Sequence, residues 1–395
     1  MDPAQDIEAL VAHRGRAAGT DAERRAARHL EERLRDMGRD ARVEPIEVWP
    51  RWPLAHVIHT VAGVAGSVLT VSSPLAGAIV LLVAAVSAFG DLTGTFRPLR
   101  RLTGRRASQN VVSREDGGRP GTLVLVAHYD AARTGFLFGR LTRLPGGPFQ
   151  AFFWALLVVL ACAVLRLVGV DALPLTVVQY VATIVLIVSV PLLADVALSD
   201  VVPGANDNAS GVACALRLAD RYGDDLDHFD LWVVLTGAEE AMELGMRAFL
   251  RAHRSELPRD STAFVCVDEV GHGTVRYARR EGYVLGQRHN RAILELCGRI
   301  ADEDADGDER YGARPYVSRT ASDAYVARAA GYPAVSVTCL GARDHTPHHH
   351  QPADTPDNVD PAAMERAFGF CSELIELIDE ELGPDLDERE EPRAG

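Results

Sequence analysis

The chain has 395 residues, a length that suggests two or three domains, and 47% of its residues are hydrophobic. Its formal net charge of −14, part of it in an acidic C-terminal tail, argues against nucleic acid as a partner. All 41 basic residues are arginine, which excludes chemistry that needs a lysine, such as Schiff-base formation.

The first predicted element is a helix that begins after Thr20 and ends at Gly38. Thr20 followed by Glu23 has the spacing of a capping box, and glycine commonly follows the last residue of a helix. A short strand is predicted over 41–48. These elements assign 1–53 to a folded domain outside the membrane.

Two long apolar segments then interrupt the polar chain. The first, 54–90, contains no Asp, Glu or Arg and breaks at the Ser-Ser-Pro motif at 72–74. The second carries only Arg166 and Asp171 over 144–194, where a hairpin would turn. Uncharged stretches of about 18 or more residues are typical of transmembrane helices. Two membrane hairpins are therefore predicted, and a buried pair of soluble helices is the alternative for the first.

The distribution of arginine predicts the orientation of these hairpins. Arginine is frequent in the polar segments that flank them, at Arg97, Arg100, Arg101, Arg105, Arg106, Arg140 and Arg143. The two hairpin turns hold a single arginine between them. The positive-inside rule then predicts a multi-pass protein of the cell (cytoplasmic) membrane, with its polar segments on the cytoplasmic side.

After the second hairpin, patterns of strands and helices alternate. Apolar runs of strand length lie at 122–127, 229–235 and 263–267, and helices are predicted near 210–221, 244–254, 290–302 and 361–382. This alternation predicts an α/β fold with a mixed, mostly parallel sheet and helices on both faces. Functional sites of such sheets form at the carboxyl ends of the strands.

Residues of the types that can bind metal ions appear one after another beyond these strands. They are His128 and Asp130, then Asp207, then Glu239 and Glu240, then Asp268, and finally His350. Each has an ordinary explanation when taken singly, such as a helix cap or a solvated loop. Together they favour a metal site at one edge of the sheet.

The motifs Gly204–Gly211 and Gly237–Glu240 resemble those of the M28 clan of co-catalytic zinc peptidases, which includes bacterial leucyl aminopeptidases and related glutaminyl cyclases. The similarity covers about 15–38, 110–130 and nearly all of 203–382. The two hairpins depart from the soluble members of this family. The larger of them separates the first two ligands.

The resemblance implies two zinc ions per chain. His128 and Asp268 would bind one ion, Glu240 and His350 would bind the other, and Asp207 would bridge both. Imidazole and carboxylate are ligands that zinc accepts, and one carboxylate can hold two ions at about 3.5–4 Å.

The resemblance also assigns roles to residues beside the ligands. Glu239 would be the general base, and Asp130 would orient His128 through the other ring nitrogen. His350 is preferred as the ligand because the family places it four residues before the Asp of an Asp-Thr pair, here Asp354. His349 is the alternative.

The resulting prediction is a membrane-anchored two-zinc metallopeptidase, an aminopeptidase that attacks the first peptide bond with a hydroxide held between the ions. Its partners would be a peptide substrate and the lipid bilayer. Glutaminyl cyclisation, carboxypeptidase action and a catalytically silent membrane scaffold are the alternatives. The predicted division of the chain is catalytic domain at 1–53, 91–143 and 199–382, hairpins at 54–90 and 144–198, and a disordered acidic tail at 383–395.

Overall fold

The computed structural model describes residues 2–138, 148–341, 344–384 and 386. These residues form one nine-stranded sheet covered by helices, together with four long apolar helices. The strands are β1 Asp40–Val48, β2 Arg106–Arg114, β3 Gly121–His128, β4 Phe229–Thr236, β5 Thr262–Val267, β6 Thr274–Glu281, β7 Gln287–Arg288, β8 Arg314–Val317 and β9 Ala334–Leu340. The helices are α1 Pro3–Val11, α2 Asp21–Asp36, α3 Trp52–Ser72, α4 Pro74–Thr93, α5 Pro148–Leu167, α6 Leu173–Leu198, α7 Gly211–Tyr222, α8 Leu244–His253, α9 Arg291–Asp306, α10 Asp323–Ala329 and α11 Pro361–Leu377.

The sheet is mixed, as predicted, and its parallel strands lie in the centre. The order is β1-β2-β4-β3-β5-β9-β6-β7, with β8 paired to β6. Strands β4, β3, β5 and β9 run parallel to one another, whereas β1, β2 and β6 join them through antiparallel pairs. The carboxyl ends of the central strands therefore meet at one edge of the sheet.

Helices cover both faces of the sheet because successive side chains of a central strand point to opposite sides. In β3, Leu123 and Leu125 pack in one core with residues of α1, α2, α7, α9 and α11. The alternate residues Val124 and Val126 pack in a second core with residues of α8 and α10. This two-sided burial confirms the predicted α/β architecture.

Helix α2 begins at the predicted capping box, except that the Glu23 side chain bonds to Gly19 and not to Thr20. The Thr20 hydroxyl accepts a hydrogen bond from the backbone N–H of Glu23 at 3.1 Å. The Glu23 carboxylate reaches past Thr20 and accepts from the N–H of Gly19 at 2.7 Å. Gly38, at φ +80°, follows the helix as expected.

Helices α3 to α6 pack against one another as two hairpins. Each is long and apolar enough to cross a membrane, by length and composition alone. Their outer surfaces carry exposed apolar side chains, such as Val71 at 76% and Leu173 at 77%. Small residues allow close approach inside the bundle, since a Cβ added at Gly77 would lie 2.7 Å from the carbonyl oxygen of Gly66.

Both hairpins leave and rejoin the sheet domain where two chain segments are paired. Hairpin α3–α4 connects β1 to β2, and Val48 pairs with Arg106 at the base of that connection. Hairpin α5–α6 is closed by an antiparallel bridge between Arg133 and Val201. Each hairpin is therefore a long insertion at a surface turn.

The domain boundaries stay predictions. The first pair of helices occupies 52–93, slightly more than the predicted 54–90. The start of the predicted second hairpin, up to 147, and most of the predicted tail, at 385 and 387–395, lie outside the described residues.

Candidate metal centre

Three of the five predicted ligands lie at the carboxyl edge of the central strands. His128 is the last residue of β3, and Asp268 directly follows β5. Glu240 lies in the loop after β4. Because β3 pairs in parallel with both β4 and β5, these three side chains meet.

Asp207 and His350 come from loops rather than from strand ends. Asp207 lies in the turn 205–210 before α7, and the peptide bond after it is cis. Asp354, four residues beyond His350, joins the two loops. Its carboxylate accepts from the N–H groups of Asn206 at 2.7 Å and Asp207 at 3.1 Å. Burial raises the pKa of Asp354 to about 7.

The five predicted ligands form two groups that share Asp207. His128 Nε2 lies 3.2 Å from Asp207 Oδ1 and 3.3 Å from Asp268 Oδ1. His350 Nε2 lies 3.1 Å from Asp207 Oδ2 and 3.3 Å from Glu240 Oε1. The two oxygens of one carboxylate thus face two different histidines, the arrangement expected of a bridging ligand.

These separations are close to those around tetrahedral zinc. Bonds of about 2.0–2.2 Å put the ligand atoms of a tetrahedral ion about 3.3–3.6 Å apart. Asp207 Oδ2 and Asp268 Oδ1 are buried, and their contacts with the two histidines, at 3.1 and 3.3 Å, lack hydrogen-bond geometry. Buried carboxylate oxygens without hydrogen bonds are costly unless a cation compensates them. The donor set, two imidazoles and three carboxylates, therefore suits metal binding.

Glu239 lies beside the ligands without belonging to either group of three around Asp207. Its Oε2 is 3.9 Å from His128 Nε2, and its side chain is 12% exposed. Burial raises the pKa of Glu239 well above its ordinary value, and the neighbouring Glu240 adds to the shift. A carboxyl group with a raised pKa is suited to accept and return a proton.

Asp130 contacts more of the site than predicted. Its Oδ1 lies 3.6 Å from His128 Nδ1, which is longer than a hydrogen bond. Its two oxygens accept instead from the backbone N–H groups of Glu239 at 3.0 Å and Glu240 at 3.2 Å. Asp130 thereby fixes the loop that carries both glutamates.

The neighbouring histidines have separate partners. His349 Nδ1 lies 2.9 Å from Glu269 Oε1 and 3.5 Å from Asp207 Oδ2. His350 makes the shorter contact with Asp207 and alone approaches Glu240. The ring of His349 stacks on that of His350 at 3.9 Å. His349 and His350 both lie close enough to Asp207 to hold an ion with it, and His350 has the shorter contact, so His350 stays the preferred ligand and His349 the alternative.

Arg16 is a site residue that the sequence did not indicate. It is 1% exposed, and its guanidinium donates to the carbonyl oxygens of Tyr129, Pro203 and Gly204. These carbonyls belong to the two loops that carry the first two ligands of the chain. Burial lowers the pKa of Arg16 to about 10. No local pattern marks this residue, because its partners are over a hundred positions away.

The first apolar hairpin also contacts the site. Trp52, at the start of α3, donates from Nε1 to the carbonyl oxygen of Glu240 at 2.9 Å. Arg100, just after α4, donates to the carbonyl oxygen of Ala241 at 2.7 Å and pairs with Asp91 at 2.8 Å. The loop that carries Glu239 and Glu240 is therefore held from the side of the apolar helices.

Three cavities that share lining residues surround the ligands. The central cavity, of about 140 Å³, is lined by all five ligands and Glu239. The helix-end cavity, of about 590 Å³, contacts Glu240, His350 and the ends of α3 and α6. The acidic cavity, of about 480 Å³, contacts Asp268, Glu269 and Glu281. The centre thus opens on two sides of different composition.

The sequence matches the profile of Peptidase family M28 over residues 189–375. The match includes Asp207, Glu240, Asp268 and His350, and it begins inside α6, after His128. No curated protein matches the chain significantly.

Solved structures with the same fold include peptidases and cyclases. An aminopeptidase from Aneurinibacillus sp. strain AM-1 is 15% identical, with a TM-score of 0.55 over 95% of this chain and 92% of that one. A Zn-dependent exopeptidase from Parabacteroides distasonis is 14% identical, with a TM-score of 0.51 over 95% and 96%. Porphyromonas gingivalis glutaminyl cyclase is 13% identical, with a TM-score of 0.55 over 95% and 96%. At these identities the likeness concerns the fold. The chain therefore carries an M28 peptidase domain over residues 189–375, within the fold that these solved structures share.

Proposed function

We propose that the enzyme is a membrane-anchored aminopeptidase with two zinc ions per chain. The proposal rests on the position of the Asp207 carboxylate between two histidines. Its Oδ1 lies 3.2 Å from His128 Nε2, and its Oδ2 lies 3.1 Å from His350 Nε2. One ion would lie between His128, Asp207 and Asp268. The other would lie between Asp207, Glu240 and His350. Four apolar helices of membrane-spanning length support the anchoring.

Glu239 performs the proton transfers in this proposal. Zinc bound at the centre would act as a Lewis acid toward the peptide carbonyl and make a nearby water more acidic. Glu239 takes a proton from the attacking water and returns it to the nitrogen of the leaving amine. Asp130 holds the backbone of Glu239 during both transfers, so the carboxylate keeps its direction.

The charges on the two sides of the centre support an aminopeptidase. The acidic cavity is lined by Asp268, Glu269, Glu281 and Asp344 against the single arginine Arg319. A carboxylate-rich cavity suits a protonated α-amino group. The helix-end cavity instead has three arginines. A peptide would therefore bind with its amino terminus in the acidic cavity and its remaining residues in the helix-end cavity.

The proposal is tested with purified enzyme in detergent and with Glu239→Gln. We expect two zinc ions per chain in both proteins. We expect Glu239→Gln to hydrolyse aminoacyl nitroanilides about 10²–10⁴-fold more slowly, the usual contribution of a general base. Zinc binding without hydrolysis by the wild-type enzyme would contradict the peptidase activity.

Glutaminyl cyclisation is the second candidate, because three of the similar solved structures are glutaminyl cyclases. The same preparation separates the two. One zinc per chain, and release of ammonia from peptides that begin with glutamine, would favour the cyclase.

A further inference from the structure

The helix-end cavity joins the metal centre to the place where two apolar helices end. Residues 52–54 at the start of α3 and 196–198 at the end of α6 line it together with Glu240 and His350. Leu198, one of these lining residues, is 85% exposed. The helix-end cavity has a volume of about 590 Å³, which is within the range of cavities that hold an organic ligand. A chain leaving the metal centre through this cavity would reach the ends of both helices.

The charges of this cavity match the interface of a membrane. Arg51, Arg106 and Arg133 line it and are exposed. Arg51 directly precedes α3, and an arginine at the end of a membrane-spanning helix lies at the level of the lipid headgroups, with its stem along apolar surface. Apolar residues of α3 and α6 lie beside these arginines, at Leu54 and Val196. The cavity thus combines an apolar wall with basic residues, as an amphipathic ligand at a membrane surface requires.

We infer that the natural substrates are peptides attached to the membrane by an apolar segment beyond the scissile bond. Their amino terminus enters the acidic cavity, and the following residues run through the helix-end cavity into the bilayer interface. This inference rests on the proposed aminopeptidase activity and membrane anchoring. A peptide is favoured over a lipid as the occupant because Glu240 and His350, two of the ligands, lie in the cavity wall.

The test compares two peptides on the full-length enzyme in phosphatidylcholine vesicles. Both peptides begin with the same four residues. One continues as a polar tail and the other as an apolar helix of about 20 residues, which anchors it. We expect a higher kcat/KM for the anchored peptide. Ala197→Trp and Leu54→Trp, which fill the cavity from opposite helices, should lower that value about tenfold. They should affect an aminoacyl nitroanilide less, because it has no chain beyond the scissile bond.

Val188→Trp is the matched control, since Val188 is on the outer surface of α6 and 51% exposed. It should leave both rates unchanged. Two outcomes would overturn the inference, provided that the wild-type enzyme hydrolyses the nitroanilide. One is an equal loss of kcat/KM for the anchored peptide and the nitroanilide in the cavity variants. The other is equal kcat/KM of the wild type for the anchored and the polar peptide. A rate that depends on added phosphatidylglycerol but not on the anchor would assign the cavity to lipid and also overturn it. Absence of hydrolysis of every substrate would instead contradict the proposed function.

Discussion

At the scale of single residues, Asp130 connects the predicted metal ligands to Glu239, the proposed general base. It accepts from the N–H groups of Glu239 and Glu240 and lies beside His128. For Asp130→Asn we expect a 10- to 100-fold loss of zinc affinity, because an amide has only one oxygen acceptor for two N–H groups. Zinc titration with a competing chelator measures this loss.

Asp230 provides the control for this substitution. It is also buried, and it accepts from the N–H groups of Gly117 and Gly118. It lies near the start of β4, at the end of the strand away from the candidate metal centre. Asp230→Asn should lower thermal stability without changing zinc affinity. Equal losses of zinc affinity in both variants would mean that Asp130 acts only through general stability.

Glu23 should make stability depend on pH. Burial raises its pKa from the ordinary 4.5 to about 8, so folding takes up a proton between these values. A raised carboxyl pKa contributes stability that is complete below about pH 4.5 and is lost as the pH rises through about 8. In detergent, we expect the melting temperature of the wild type to fall relative to Glu23→Gln between about pH 5 and about pH 8.5. Parallel curves for the two proteins would refute this assignment.

Residues that follow strands can be proposed from the sequence more readily than residues that act from a distance. The five ligand positions follow predicted strands or lie in motifs of the family, and their role as ligands stays a prediction. Arg16 and Trp52 were not predicted, since each reaches the site through a backbone carbonyl more than a hundred positions away. A hydrogen bond to a carbonyl does not require a particular residue type at the accepting position.

At the scale of elements, the buried ion pair between α4 and the segment after it should matter for stability. Asp91 and Arg100 are 1% and 0% exposed and lie 2.8 Å apart. Removing one partner of such a pair leaves a buried charge, so we expect Asp91→Ala to cost about 3–5 kcal/mol of unfolding free energy. The double variant Asp91→Ala/Arg100→Met should cost less, because no unpaired charge remains.

An exposed pair between β1 and the residue before β2 gives the comparison. Arg105 and Glu47 also lie 2.8 Å apart, with side chains 61% and 63% exposed. Glu47→Ala should cost at most about 1 kcal/mol. Chemical unfolding in detergent measures all three variants, and a double variant less stable than Asp91→Ala would contradict the explanation.

Strand β2 is one of the elements that the sequence analysis did not predict. Ser108, Gln109 and Asn110 of β2 are polar yet buried, and each has a polar partner inside the domain. Ser108 donates to Glu23, Gln109 to the hydroxyl of Tyr129, and Asn110 to a backbone carbonyl. Hydrophobic alternation cannot identify such a strand, because hydrogen bonds replace apolar contacts.

At the scale of the whole molecule, the predicted orientation of the hairpins implies that their turns lie on the extracytoplasmic side of the membrane. All six cysteines are buried, so a membrane-impermeant maleimide should react little with the wild type. Ser72→Cys and Leu173→Cys, at the exposed hairpin turns, should be labelled in intact cells. Glu295→Cys, in the sheet domain, should be labelled only after the membrane is permeabilised. The reverse pattern would contradict the orientation inferred from arginine.

The pairing at the base of each hairpin has a consequence for redesign of the enzyme. Val48 with Arg106, and Arg133 with Val201, close the sheet domain independently of what lies between them. Either hairpin could therefore be replaced by a short turn without any change in strand order. Replacement of hairpin α3–α4 would also remove the hydrogen bond from Trp52 to the loop that carries Glu239 and Glu240, so this is the hairpin whose loss should disturb the centre.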